Sequence, residues 1–235
     1  MSISSLRSRL TRGGGDDGIA LIELVVSMVI TLIMLTLIGR MFAQVTNAAG
    51  DNQSTRAAMG VAATVADEIT RVVRQGVIVT TSSTTKEGAV IAGSTATSLN
   101  IDSAVDATVT PGQAAIAPTR VAFSVDGSGS LVEQRFAGTV TSGSVTFASS
   151  ATSSRTVNGP ILTTGASVPA LFAYTDGSGN SVLPAGGGLT AAQASSVAAV
   201  TVTVTVANSL STGSDPVQIT NEVTMPNIAI ANGGY

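Results

Sequence analysis

Twenty consecutive residues, Ile19 to Ile38, carry a single charge, and the rest of the fold must accommodate them. Written as an α-helix the run is about 30 Å long, the thickness of a bilayer's hydrocarbon core. Its one charge, Glu23, stands near the start and is followed by fifteen residues without any. An acidic residue at the centre of an inserting helix costs on the order of 3 kcal/mol. Near the helix end the cost is smaller, but a carboxylate kept there still needs a use. No later stretch is long and apolar enough to span. Val197–Val206 is apolar at alternate residues, which suits a strand. One membrane span is therefore expected.

The flanks give its orientation. Arg7, Arg9 and Arg12 precede the span, partly offset by Asp16 and Asp17, and a long polar chain follows Arg40. Basic residues weigh more than acidic ones here, so the leader is expected inside and the bulk of the chain outside. A secretory signal peptide would have a shorter apolar core followed by a small-residue cleavage site. Here the core runs into Gly39-Arg40-Met41-Phe42, and the glycine that stands at a polar–apolar boundary, Gly18, precedes the core. Cleavage on the cytoplasmic side, with the apolar helix retained, fits that order.

Helical spacing continues past the span. Ala58, Val61, Ala62, Val65, Ile69, Val72 and Val73 recur at three and four residues and form one apolar stripe. Asp67 and Arg71 stand four apart in the favourable order for a helix pair. Gly76 is placed to end the helix, with Arg71 and Arg74 in its last turns. Between these segments lie Asn47, Gly50, Asp51 and Asn52, poor helix formers. The residues allow a continuous helix or a break near Gly50-Asp51 with Asn52 or Ser54 capping a second one. Gly39, Ala43, Ala48, Ala49 and Gly50 suit either close helix packing in an assembled bundle or a plain linker.

From Val77 the chain becomes rich in Ser, Thr, Gly and Val. Val200, Val202, Val204 and Val206 alternate with threonines, the clearest strand in the sequence. Val121–Val125 and Leu131–Arg135 flank Asp126-Gly-Ser-Gly129 as a hairpin, and a second Asp-Gly-Ser-Gly turn, Asp176 to Gly179, follows Leu171-Phe-Ala-Tyr174. Segments 80–98, 138–158 and 184–196 read as loops or irregular edges, with a short helix over Ala191–Val197. The expected fold class is α+β: a leader (1–18), a transmembrane helix (19–38), its extramembrane continuation (39–76) and an antiparallel β-rich head (77–235).

The chemistry available is narrow. The chain has no histidine, cysteine or tryptophan. That removes the usual general base near neutral pH, the thiol nucleophile, the commonest transition-metal ligands and any disulfide. No phosphate-binding loop is present, and no cofactor is implied. A carboxylate pair of the glycosidase kind would have to come from Asp102, Asp106, Glu133 and Asp176, singled out only because acids are few. Asp126 and Asp176, in the two Asp-Gly-Ser-Gly turns, are weak cation candidates. Each supplies one carboxylate, and turn geometry accounts for both. Side-chain charge is −3, or −4 once residues 1–18 and their three arginines and two aspartates are removed. With Lys86, Arg120, Arg135 and Arg155 scattered over the head, this gives nucleic-acid binding little support. Enzymatic activity is not expected.

Gly18-Ile-Ala-Leu-Ile-Glu23 resembles the N-terminal signal of type IV prepilins and pseudopilins, most closely over Leu21-Ile22-Glu23-Leu24. Ile19 and Ala20 stand where the family more often has Phe-Thr. The resemblance implies a cut by a prepilin peptidase after Gly18, N-methylation of the new N-terminus at Ile19, and an assembly ion pair made by Glu23. The implied partners are that peptidase, other pilin or pseudopilin subunits, a membrane assembly platform and, before assembly, the lipid bilayer. The head is similar to PilW-like minor pilins and J-type pseudopilins in Phe172-Ala-Tyr174-Thr-Asp176, in the Val200–Val206 strand and in Val223-Thr-Met-Pro-Asn227. Many of those relatives carry Arg-Asn where Pro226-Asn227 stands here. The resemblance implies a filament subunit, first in the cytoplasmic membrane and then in a surface or periplasmic filament. An adhesin or DNA-uptake receptor on the same stalk, and a membrane-anchored β-domain unrelated to filaments, are the competing readings.

Overall fold

The computed structural model describes residues 17–82, 85–105, 117–165, 168–208 and 215–231, with side chains described from Leu21 to Ile228 within those ranges. Helix α1 (Asp17–Arg74) is helical at every residue, so the polar stretch 44–56 contains no break. The segments on either side are dense in Leu, Ile, Met and Ala. Extending an existing helix through a few poor formers costs less than nucleating a second one. Thr46 keeps its hydroxyl within the helix by donating to the Phe42 carbonyl at 2.9 Å.

The chain divides into two units, residues 1–52 and 53–235. In the first, every described side chain from Leu21 to Ala49 is exposed. α1 is long and apolar enough to cross a membrane by length and composition. In the second, one face of the helix is buried. Ala62, Val65, Ile69, Val72 and Val73 have no accessible surface, Ala58 and Ala66 are nearly as deep, and Val61 lies at the margin. The three-and-four spacing of the stripe thus marks a packed face.

The strands of the second unit are all antiparallel. They are β1 (Val79–Thr80), β2 (Lys86–Glu87), β3 (Leu99–Ser103), β4 (Thr119–Val125), β5 (Leu131–Thr141), β6 (Ser144–Phe147), β7 (Ser153–Asn158), β8 (Phe172–Asp176) and β9 (Ser181–Val182). Helix α2 (Ala191–Ser196) leads into β10 (Val197–Val206), followed by β11 (Val217–Thr224) and α3 (Pro226–Ala231). One sheet runs β3-β4-β5-β6, a second runs β11-β10-β8-β9, and β1 and β2 form a small ribbon. Strand β5 is long enough to serve two partners along one edge: Leu131–Arg135 pairs with β7, and Gly138–Thr141 with β6.

Both expected Asp-Gly-Ser-Gly turns join antiparallel strands, β4 to β5 and β8 to β9. The short helix before the Val/Thr strand is α2, closed by a Thr190–Gln193 capping box. Segment 138–158, read from sequence as loops or irregular edges, holds the end of β5 and all of β6 and β7, which are edge strands of the first sheet. Strand β7 is exposed on both faces over most of its length, so it lacks the apolar alternation by which a half-buried strand announces itself. β10 departs from expectation in another way. Thr203 and Thr205 are buried along with the valines, because this central strand is covered on both faces.

The buried helix face joins both large sheets in one core, meeting Leu99, Ile101, Val121, Phe123 and Leu131 from the first and Val200, Val202, Val204 and Val206 from the second. Polar pins fix the helix in rotation. Asn221 donates to Thr70 Oγ1 at 3.0 Å, and Ser103 donates to the Val72 carbonyl at 2.9 Å. Gly76 follows the helix end but does not adopt the left-handed backbone of a helix-capping glycine. Its role is close approach: a Cβ there would stand 2.9 Å from Met225 Sδ and 3.1 Å from the Ala89 Cβ. Ile69 occupies the middle of this packing. Ile69→Ala should lower the unfolding free energy by about 3 kcal/mol through lost burial and an unfilled cavity. Val61→Ala, at the margin, should cost less than about 1 kcal/mol. Denaturant unfolding of the two variants measures the difference.

Candidate functional site

In the first unit the helix carries Leu, Ile, Val and Met around its whole circumference, each about half or more exposed. The hydroxyls in this run are already used. Ser27 donates to the Leu24 carbonyl (2.8 Å), Thr31 to that of Ser27 (2.7 Å) and Thr36 to that of Leu32 (2.7 Å). Such back-bonding lets a hydroxyl sit in an apolar medium with no outside partner. Glu23 cannot do the same, because a carboxylate only accepts and has no hydrogen to give a backbone carbonyl. Among the described residues nothing pairs with it. The backbone at Gly18 and Ile19 lies in the first turn of α1, and their side chains fall outside the described set.

The remaining acids are distributed differently. Asp126 Oδ1 accepts from the Ser128 hydroxyl (2.6 Å) and from the backbone N–H groups of Ser128 and Ser130 (2.8 and 2.9 Å). Those bonds, the Ser128 hydroxyl foremost, hold its pKa below the usual aspartate value. Asp176 repeats the pattern with the Asn180 and Ser178 N–H groups at 2.8 and 2.9 Å, and is likewise lowered, first by Asn180. Both carboxylates thus fasten a turn. Among the described residues no group of three acids stands close enough to hold a metal ion.

Asp102 and Glu133 have no exposed surface, yet they do not form a pair. Asp102 is opposite Arg120 in the ladder, whereas Glu133 is opposite Phe123, on the alternate face of the same sheet. Asp102 accepts two hydrogen bonds from Arg120, at 2.7 and 3.0 Å, and Arg120 also reaches Glu87 at 2.9 Å. Burial pushes the Asp102 carboxyl up by more than Arg120 pulls it down. On the helix-facing side, Glu133 binds Arg135 and, at 2.6 Å, Arg155. Glu68 of α1 joins them through Arg155 (2.6 Å), Arg71 (2.6 Å) and Arg135 (3.6 Å). Asp106 lies outside the described residues, and Asp176 belongs to the other sheet. The described candidates Asp102, Glu133 and Asp176 are thus not brought together with one another.

Three of the four basic residues noted in the head, Arg120, Arg135 and Arg155, are therefore engaged by carboxylates. Sequence spacing singled out Asp67 as the partner of Arg71, whereas the structure shows Glu68 in that place, three residues from it. The signal for the cluster was present in β5. Leu131, Glu133 and Arg135 fall on one face, and an acid between an inward leucine and an arginine needs a buried cation. Comparison with models of protein families, with curated proteins and with solved structures gave no match.

Burial raises the Glu68 carboxyl, but Arg71 and Arg155 together bring it below its ordinary 4.5. A carboxylate lowered on folding adds stability that is fully present above the unfolded pKa and is lost as pH falls through the folded one. Asp102 acts in the opposite sense, so the whole-protein curve mixes the two. The Tm difference between wild type and Glu68→Gln isolates Glu68. It should be constant above pH of about 5.5 and shrink steadily below about 4.5.

Proposed function

We propose that this chain is a structural subunit of a pilus-type filament, a minor pilin or pseudopilin. The observation that carries the reading is the exposed apolar segment 21–45 of α1, whose hydroxyls donate within the helix and whose one carboxylate, Glu23, has no partner among the described residues. The subunit waits in the cytoplasmic membrane with its leader inside and its β-rich head outside. A prepilin peptidase cuts after Gly18, and Ile19 becomes a methylated N-terminus. The cut creates an ammonium, and in a medium of low dielectric that ammonium and Glu23 attract strongly, whereas each alone is costly. Their pairing, within one subunit or between neighbours, selects processed chains for assembly on the membrane platform. The uncut leader hides the amine and holds Arg7, Arg9 and Arg12 on the cytoplasmic side. Engagement of Arg120, Arg135 and Arg155 by carboxylates favours this reading over a DNA-uptake receptor.

Intact-mass analysis of membrane-bound and filament-borne protein tests the cut. The mature chain should begin at Ile19 and carry one added methyl group, and Gly18→Phe should retain residues 1–18. A membrane-bound wild type that keeps Met1, in cells shown to process their other prepilins, would instead mark a membrane-anchored β-domain. Glu23→Val should insert normally while its recovery in sheared filaments drops by about a hundredfold, equivalent to roughly 3 kcal/mol for an unpaired buried ammonium. Incorporation at the wild-type level would remove the ion pair from the mechanism.

A further inference from the structure

Strand register builds a second feature on the face of the first sheet that points away from α1. Asn100, Ala122 and Gln134 stand side by side across β3, β4 and β5, and Asp102, Arg120 and Phe136 form the next row on the same face. The small Ala122 leaves a depression between two amide side chains that are two strand spacings, about 10 Å, apart. Phe147 of β6 walls one side. It reaches down because its ladder partner is Gly138, where a Cβ would collide with the Pro118 carbonyl oxygen and stand 3.2 Å from the Phe147 ring. The result is a cleft of about 650 Å³, within the size range of ligand sites.

Its chemistry is specific. Two of the chain's five phenylalanines line it, both half-buried, and Arg120 lies 4.2 Å from the centre of the Phe147 ring. Neither the Asn100 nor the Gln134 amide is hydrogen-bonded by any described residue, so each offers a donor and an acceptor to the cleft. Arg120 commits Nε and Nη2 to Asp102 and Glu87, which leaves Nη1 to donate. The charged residues of the lining, Glu87 and Arg120, pair with each other, and Asp102 behind them takes the rest of the Arg120 charge, so the cleft offers no uncompensated cation. That balance disfavours phosphates, nucleic acid and acidic sugars.

We infer that this cleft binds a neutral oligosaccharide. A sugar hydroxyl both donates and accepts, which answers the paired character of the amides, and the C–H face of a pyranose ring packs on an aromatic side chain. The floor between Asn100 and Gln134 has room for one or two rings. An extended peptide suits the site less, because its backbone seeks the open edge of a sheet, and the free groups here are side chains on a sheet face. The site does not rest on the filament reading.

The test is saturation-transfer NMR on the full chain in lipid nanodiscs, which avoids sugar-headed detergents. The probes are neutral di- and tetrasaccharides of glucose, galactose, mannose and N-acetylglucosamine, with an Ala/Thr peptide alongside. At least one sugar should receive saturation. Ala122→Leu, which fills the floor, and Gln134→Ala, which removes one amide, should each weaken its binding by about tenfold while thermal unfolding stays as in wild type. Glu23→Val should leave the sugar signal unchanged. Silence from every sugar, sugar binding that both cleft variants retain, or binding of the peptide alone would overturn the inference.

Discussion

One helix meets two different demands, and the rest of the structure follows from how its sequence divides them. Over 21–45 the apolar residues go all the way round, so no protein face is singled out and the surface suits lipid or other helices. Over 58–73 they narrow to a stripe of Ala, Val and Ile, and the stripe is buried with no accessible surface at its centre. The choice of small and β-branched residues there matters. Ala58, Ala62 and Ala66 keep that side of the helix thin, and Val65, Ile69, Val72 and Val73 fill the space that results. Thr70, bonded by Asn221, and the Val72 carbonyl, bonded by Ser103, then fix which way the stripe points.

Buried charge is handled by the same separation of faces. The sheet's helix side carries Glu133 among guanidinium groups that also hold Glu68 of α1, so this cluster ties sheet to helix. Its far side carries Asp102 and Arg120, which fix the orientation of side chains around the cleft. Removing one member of either cluster leaves a charge with little access to water, a larger penalty than the intact cluster's net contribution. Glu23 differs from all of these acids. They are answered by other described residues, whereas Glu23 has no partner among the described residues, which is why the proposed partner for it comes from processing and assembly.

The sequence was most readable where one physical pattern dominated. The apolar run, the three-and-four stripe and the two Asp-Gly-Ser-Gly turns depend on neighbours within a few residues, and the structure places each as expected. β7 was not readable, because a Ser- and Thr-rich edge strand exposed over most of its length leaves no apolar alternation, and β6 alternates Val145 and Phe147 with polar residues over only four positions. The pairing rule for helices favoured Asp67, yet Glu68 is also held by Arg155 of the sheet, and tertiary geometry selected it as the partner of Arg71. Helical continuity through Gly50 and Asp51 was open in the sequence, since local propensity argued for a break and cooperativity against one.

The cleft shows a different limit. Asn100, Ala122 and Gln134 are unremarkable residues spread over 35 positions of sequence, and none has a local signature. They become neighbours because Asn100 pairs with Ala122 and Ala122 with Gln134; a slip of one residue in either ladder would turn the row toward the core. What fixes the register is the inner face. Leu99, Phe123 and Glu133 also form one row, as do Ile101, Val121 and Arg135. Burying Leu99, Ile101, Val121 and Phe123 beside a salt-bridged Glu133 leaves no freedom to slide. The packing that holds α1 to the sheet therefore also determines which side chains meet on the opposite face. A ligand site can then be built from residues whose own interactions contribute little to stability, and such a site can change specificity without disturbing the core.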